Sequence, residues 1–251
     1  MDIGTYTALS AGLFQMKKLE VQNNNLANSN TVGFKRQYLI PEMKEFSDTL
    51  SGQMGSSALA EGDLKRAPIV TAYRSVIDFT QGAIRYTGNP FDVALRNEND
   101  FFVINTPEGQ RYTRAGNFTV SQNGELVTQD GMRVVGDGGN IQIGAPGAVI
   151  TQDGSVQIQG INVGRLQVVH FDKTDGLEAV AGARFKRTGA APVQVDPFVE
   201  PRAVELSNAS VVTGMIDLIS TNRAFDAYSK AAQTIDGLNQ AAISQVGKRS
   251  S

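Results

Sequence analysis

The sequence predicts an α+β protein: the two chain ends form one discontinuous, coiled-coil-like helical domain, and the middle forms an all-β domain. Three observations carry that prediction. Apolar residues near each end recur at three- and four-residue steps, the spacing of one buried helical stripe. Between the ends, short β-rich runs are separated by Gly, Asn and Asp turn pairs. No helical pattern alternates with those runs, which disfavours a parallel α/β sheet.

The first element covers residues 1–36. Tyr6, Leu9, Leu13, Met16, Asn23 and Leu26 follow the helical step, predicting a helix over about 3–30 with Gly33 as a left-handed stop. Its end is unusual. Residues 21–37 read VQNNNLANSNTVGFKRQ, with five asparagines between Asn23 and Asn30. Asparagine competes with helix by bonding nearby backbone, so these residues either cap and fray a helix end or have work elsewhere. A buried amide left unpaired costs about 1–3 kcal/mol. Asn23, Asn24, Asn25 and Asn28 therefore suit a packed interface in which only one register satisfies them.

Residues 37–72 include SDTLSGQMGSSALAEGDLKRAP, small, polar and rich in Gly and Ser. They read as an extended connector arm at the surface. Residues 73–202 are the β-rich domain, with FDVAL, FFVI, RYTR, FTV, RVV, IQI, SVQI and RLQVVHF as strands. Asn123-Gly124 and Asp153-Gly154 predict tight hairpin turns. Gln122–Leu126 leading to Val135-Gly136 is echoed by Gln152–Val156 leading to Val163-Gly164, either a duplicated hairpin or recurring turn chemistry. Residues 203–251 return to helix. Met215, Leu218, Asn222, Phe225, Ala232, Ile235, Asn239, Ala242 and Val246 step by threes and fours, behind N-cap candidates Ser207, Asn208 and Ser210. Stripes of this length exceed what a compact β domain can cover, so the helices must pack on each other or on other molecules.

Composition narrows the function. With 251 residues the chain holds one or two domains, and 23 basic against 25 acidic residues give a charge of −2. That offers no electrostatic case for nucleic acid or an anionic membrane. With no cysteine, thiolate metal sites and a Cys nucleophile are excluded. No apolar run nears the roughly 20 residues of a membrane span, and MDIGTYTALSAGLFQMKK does not pattern as a cleaved secretory signal.

Catalytic candidates are few. His170 is the one histidine and lacks partners at metal-ligand or triad spacing, so it reads as structural. Asp172 and Asp175 in FDKTDG read as a turn, and GDGGN at 136–140 as a loop with no following helix to bind phosphate. Asp153-Gly154-Ser155 lacks the spaced oxygens of a calcium loop. Tyr112, Arg114 and Phe118 read as inward packing with one exposed arginine. No cofactor, metal or small-molecule substrate is expected.

At Asn24–Lys35 the chain resembles a known pattern. NNLANSNTVGFK is similar to the ANNLAN-x-x-T-x-GFK signature of bacterial flagellar rod and hook proteins. The run DVALRNENDFFVINTPEGQRYTRAGNFTVSQNGELVTQDGMRVVG resembles that family's central segment, and Met215-Ile216, Arg223–Asp226 and Lys230 resemble its MI…RAFE…K helix. GNPFDVAL, GNIQI and VGRLQVVHF favour the proximal-rod branch, with the distal-rod branch its nearest rival. Two places depart from the pattern. Glu98-Asn99-Asp100 stands where a Gly-containing turn is usual, and Ser207-Asn208-Ala209-Ser210 stands where SNVN is usual.

The resemblance implies a structural subunit of the flagellar basal-body rod, exported without a cleaved signal through the flagellar type III apparatus. It implies polymerisation, with copies of itself and other rod subunits as partners, into the torque-transmitting axis across the periplasm. It implies no nucleic acid, no membrane insertion and no enzyme activity. The assembly interface expected from stripe and signature together is Leu9, Leu13, Met16, Asn23, Asn24, Asn25, Leu26, Asn28, Gly33, Phe34, Met215, Leu218, Asn222, Phe225 and Ile235. The terminal helices are expected to set on assembly, with Asn222 and Asn239 as partners for the asparagines of the first helix. From the residues alone, two alternatives stand beside this one. A non-polymerising adaptor predicts a finite complex, and a carboxylate enzyme predicts activity that survives loss of residues 1–35.

Overall fold

The computed structural model describes residues 3–45 and 68–249. They fall into two compact units, one built from the described residues of 1–26, 37–76 and 211–251, the other from 27–36 with 77–210. The architecture is α+β: terminal helices and a central, mostly β region.

In the helical unit, α1 spans Ile3–Ala27 and α2 spans Val211–Arg249. α1 stops short of residue 30 because Asn28 and Thr31 form a turn. The Thr31 N–H donates to Asn28 O at 3.1 Å, and its hydroxyl lies 3.1 Å from Asn28 Oδ1. A Cβ on Gly12 would sit 4.0 Å from Tyr228 Cβ, and one on Gly214 would sit 3.7 Å from Leu26 Cδ1. The two helices therefore run antiparallel, a glycine of each lying beside a larger residue of the other. Gly214 costs helix propensity of about 1 kcal/mol, and a Cβ there would make only an ordinary contact with Leu26. Strand β1 (Gln37–Glu45) pairs with β2 (Pro68–Ile77), so the described parts of the expected connector are a two-stranded ladder. The rest of that connector, residues 46–67, lies outside the described residues.

The β unit begins with β3 (Ile84–Tyr86) and β4 (Val93–Leu95). Its main sheet runs in the order β15 (Leu177–Val180), β16 (Arg184–Arg187), β6 (Gly109–Thr113), β5 (Asp100–Thr106), β9 (Arg133–Gly136), β8 (Leu126–Val127), β7 (Thr119–Val120). All its pairings are antiparallel. On its second edge β5 also takes β14 (Val168–His170), which pairs with β17 (Val193–Val195), while β10 (Gly139–Asn140) pairs with β9. A smaller sheet joins β11 (Ala148–Ile150), β12 (Ser155–Ile158) and β13 (Ile161–Arg165). Late in the chain, β18 (Val199–Pro201) returns to β4 and β19 (Ala203–Glu205) to β3.

Strand β5 explains why FFVI is apolar at every position. Phe102 and Ile104 face a core with Leu95, Phe118, Val134, Leu166 and Val168. Phe101 and Val103 face a second core with Phe79, Tyr112, Phe171 and Phe185, where the rings meet edge to face. With period-two side chains, a strand buried on both faces has no polar side to show.

The internal echo is turn chemistry, because it occurs a third time. At Ser121, Thr128 and Thr151 the same loop closes. The glycine three residues on donates its N–H to the first residue's carbonyl, and that residue's N–H donates to the carbonyl four on, all at 2.8–2.9 Å. Gly124, Gly131 and Gly154 take φ of +77°, +81° and +74°, where a side chain is disfavoured. FDKTDG does form a turn, a 3-10 segment at Thr174–Gly176. GDGGN is the β9–β10 hairpin.

Candidate functional site, a buried ion cluster and an exposed helical face

The segment after α1 is inserted into the β unit, and Gly33 permits it. Gly33 has φ +69°, and a Cβ there would lie 2.2 Å from the Ala115 nitrogen. Its N–H donates to Glu205 O at 2.8 Å. Phe34 then packs with Ala183 and Ala209, and Lys35 enters the interior. The Lys35 ammonium donates to Glu205 Oε1 at 2.6 Å, Thr80 O at 2.6 Å and Phe79 O at 3.3 Å. Three N–H donors meet three acceptors, leaving none spare.

Glu205 is shared. Its Oε1 also accepts the Gly82 N–H at 3.0 Å, and Oε2 accepts Arg114 Nε at 2.8 Å. Arg114 donates further to the carbonyls of Asp100, at 2.6 Å, and Glu98, at 3.1 Å. The side chains of Lys35, Glu205 and Arg114 are all 0% exposed. Two cations thus share one carboxylate away from water. Burial pushes the Lys35 pKa below the usual lysine value, and the adjacent Glu205 charge pulls it back up. The arginine expected at the surface is buried, because five guanidinium donors find the Glu205 carboxylate and the carbonyls around β5. The cluster binds chain segments around 33–35, 79–82, 95–114 and 205, far apart in sequence, into one centre.

The helical unit shows another kind of surface. On α1, Ala8, Gln22 and Asn25 are buried, whereas Leu9, Leu13 and Met16 are 51%, 54% and 45% exposed. On α2, Leu218, Phe225 and Ile235 are half-buried, Thr221 is buried, and Met215, Ile216 and Ile219 are exposed. Gly12 faces Tyr228 and Gly214 faces Leu26 where the helices meet, while other large apolar residues stay exposed on both helices.

Three family profiles match the chain. "Flagella basal body rod protein" covers residues 6–35, "Flagellar hook protein FlgE/F/G D1 domain" covers 97–162, and "Flagellar basal body rod FlgEFG protein C-terminal" covers 200–245. The flagellar basal-body rod protein FlgF of Caulobacter vibrioides is 31% identical over 255 residues, spanning 99% of both chains. The chain belongs to the flagellar basal-body rod protein family. The rod protein FlgG of the same organism is 33% identical over 94% of this chain and 96% of its own, and FlgG of Bacillus subtilis is 30% identical over 93% and 96%. The relatives are structural components of the basal-body rod, and this rod protein is a structural rod subunit of the flagellum that assembles with other rod subunits.

The matched segments have different fates in this rod protein. Of the expected interface residues, Leu9, Leu13, Met16, Asn23, Asn24, Met215 and Asn222 lie exposed on the helical unit. Leu26, Leu218, Phe225 and Ile235 are half-buried. Asn25 is buried, its amide spanning the backbone of Gln37: Nδ2 donates to Gln37 O at 2.8 Å and Oδ1 accepts the Gln37 N–H at 2.9 Å. Asn28 joins the turn that ends α1, and Gly33 and Phe34 are buried in the β unit. The signature segment 27–36 therefore belongs to the β unit, although the residue pattern groups it with the helix. His170 Nδ1 lies 2.7 Å from Asp100 Oδ1 at the end of β14.

Glu205 and Arg114 were not legible as a pair. For Glu205 the signal was a lone charge in the otherwise apolar run AVEL, which in a buried strand requires a counter-charge; RYTR, with two arginines and a threonine, carried no such signal. No helix among the described residues is long and apolar enough to cross a membrane.

Proposed function

We propose that this rod protein is a proximal-rod subunit that polymerises through the outer faces of α1 and α2. The observation that carries the reading is the apolar surface left on both helices: Leu9, Leu13 and Met16 on one, Met215, Ile216 and Ile219 on the other. Single exposed apolar residues are ordinary, but runs at helical spacing on two adjacent helices suit partner helices. Repeated contacts between different patches of successive copies do not close and so generate an open helical tube. α1 and α2 together act as a coiled-coil-like stem. Leu26, Leu218, Phe225 and Ile235 line its inside, and Asn23, Asn24 and Asn222 discriminate register at its outside. Gly33, Phe34, Asn25 and Asn28 serve assembly indirectly, by shaping how α1 ends. Delivery is by the flagellar type III export apparatus, the rod crosses the periplasm, and the chain carries out no reaction.

The proximal assignment is supported by the match to FlgF over 99% of both chains. Complementation tests it. The native chain should restore swimming to a flagellate lacking its FlgF and not to one lacking its FlgG; the reverse would make it a distal-rod subunit. Leu13→Asp and Met215→Asp should melt like native protein yet build no rods. Normal rods in both variants would refute polymerisation through these faces.

A further inference from the structure

We propose that the Asn208 side chain is the tie that joins three of the segments through which the chain enters and leaves the β unit. Those segments end at Arg36, begin at Ile77, and end at Ser210. Asn208 Oδ1 accepts the Arg36 N–H at 2.7 Å. Its Nδ2 donates to Asp78 O at 2.8 Å, Thr80 O at 3.1 Å and Thr80 Oγ1 at 3.2 Å. Arg36 and Asp78 are joined directly as well, the Asp78 N–H donating to Arg36 O at 2.8 Å. All three segments are thus gathered within two residues of the points where the unit ends.

The chemistry explains why the residue is an asparagine. Backbone pairing of the returning chain extends to Leu206, whose N–H donates to Ala83 O at 2.8 Å. Beyond it the Ala209 N–H turns back onto Ser207 Oγ at 3.1 Å. The side-chain amide of Asn208 then takes the place of a peptide group, with one acceptor for an N–H on one segment and donors for carbonyls on another. Aspartate keeps the acceptor but sets a carboxylate against the Asp78 and Thr80 carbonyls. Alanine offers neither. The next residue along, Gln37, has its own N–H and C=O bound by the Asn25 amide. Two consecutive backbone units are therefore each held by an asparagine side chain. A pull on any one of the three segments is shared with the other two. In a rod subunit, which is the reading this consequence rests on, Asn208 lies on the path by which load enters the β unit.

The test uses the full chain and two variants, Asn208→Asp and Asn208→Ala. Residue-resolved hydrogen exchange should show the Arg36 and Asp78 amides exchanging at least about tenfold faster in Asn208→Ala, and by a smaller factor in Asn208→Asp, which keeps the acceptor for the Arg36 N–H. Calorimetric melting of the β unit should move by less than about 5 °C, because the Lys35–Glu205–Arg114 cluster is untouched. Cells carrying either variant should build rods in normal number but lose swimming speed more steeply than native cells as the medium is made viscous. Unchanged exchange at Arg36 and Asp78 would overturn the tie. So would a collapse of the whole β unit, which would make Asn208 a general stability residue, or native swimming at every viscosity despite faster exchange. The exchange measurement needs no rod, so failure of the native chain to restore rods would count against the rod reading while exchange still decides the tie.

Discussion

Replacing Glu205 with glutamine tests whether the buried cluster holds the β unit together. Glu205 is the anion against which Lys35 and Arg114 are both paired, with all three side chains out of water. Glu205→Gln preserves shape but strands two cations, and it points an amide that carries donors at two donors. Removing one partner of a buried pair costs about 3–5 kcal/mol, chiefly through the charge left behind. Lys35→Met is the informative comparison. It leaves Glu205 neutralised by Arg114 and still bonded to the Gly82 N–H, and Thr80 O keeps its bond from Asn208. The loss is then about 1–3 kcal/mol, the cost of unmade hydrogen bonds such as that to Phe79 O. At roughly 2–4 °C per kcal/mol for a unit of this size, Glu205→Gln should lower the midpoint by about 6–20 °C and Lys35→Met by about half as much. The double variant should be less destabilised than the sum of the singles, since the second change removes one stranded charge. Calorimetry and urea unfolding of the full chain measure all three. A cost for Lys35→Met equal to or above that for Glu205→Gln, or a Glu205→Gln protein within about 1 kcal/mol of native, would refute the argument.

Gly33→Ala forces a side chain onto φ +69° and into the backbone at Arg114–Ala115, so it should cost about 2–4 kcal/mol; Gly138→Ala, with nothing within 4 Å, should be neutral. Equal urea midpoints for the two variants would contradict the docking of the signature segment. Asp153 is held at a pKa of about 2, from an ordinary 3.8, mainly by hydrogen bonds from Thr151 and then Ser155. A depressed carboxyl contributes its full stability above 3.8 and loses it as the pH falls through about 2. The stability gap between native protein and Asp153→Asn should therefore shrink between pH 4 and pH 2, read from urea melts; a gap that widens on acidification would show the sign to be wrong.

How much of this was legible in the sequence varied by element. The terminal helices and the strand-rich middle were readable because periodicity is local. Hairpin turns announced themselves through Asn-Gly and Asp-Gly for the same reason. The helix faces were harder. A stripe reading assumes that the largest apolar residues point inward, but α1 meets α2 at Gly12 and keeps Leu9, Leu13 and Met16 outside. Asparagine proved ambiguous as well: Asn25 and Asn208 both serve as surrogate peptide groups for backbone more than ten residues away, which no local pattern encodes. Within the signature, Gly33, Phe34 and Lys35 were recognisable as a motif without any sign of what they touch.

By itself the sequence determined the α+β class, the helical ends, the turns and the resemblance to flagellar rod proteins, all of which rest on short-range pattern and order along the chain. Only the tertiary structure decided that Lys35, Arg114 and Glu205 share one buried site, that the signature segment belongs to the β unit, and which apolar helix residues stay exposed. The physical reason is distance along the chain. A buried charge announces that it needs a counter-charge, but its partner lies 91 or 170 residues away, and only the folded backbone selects it.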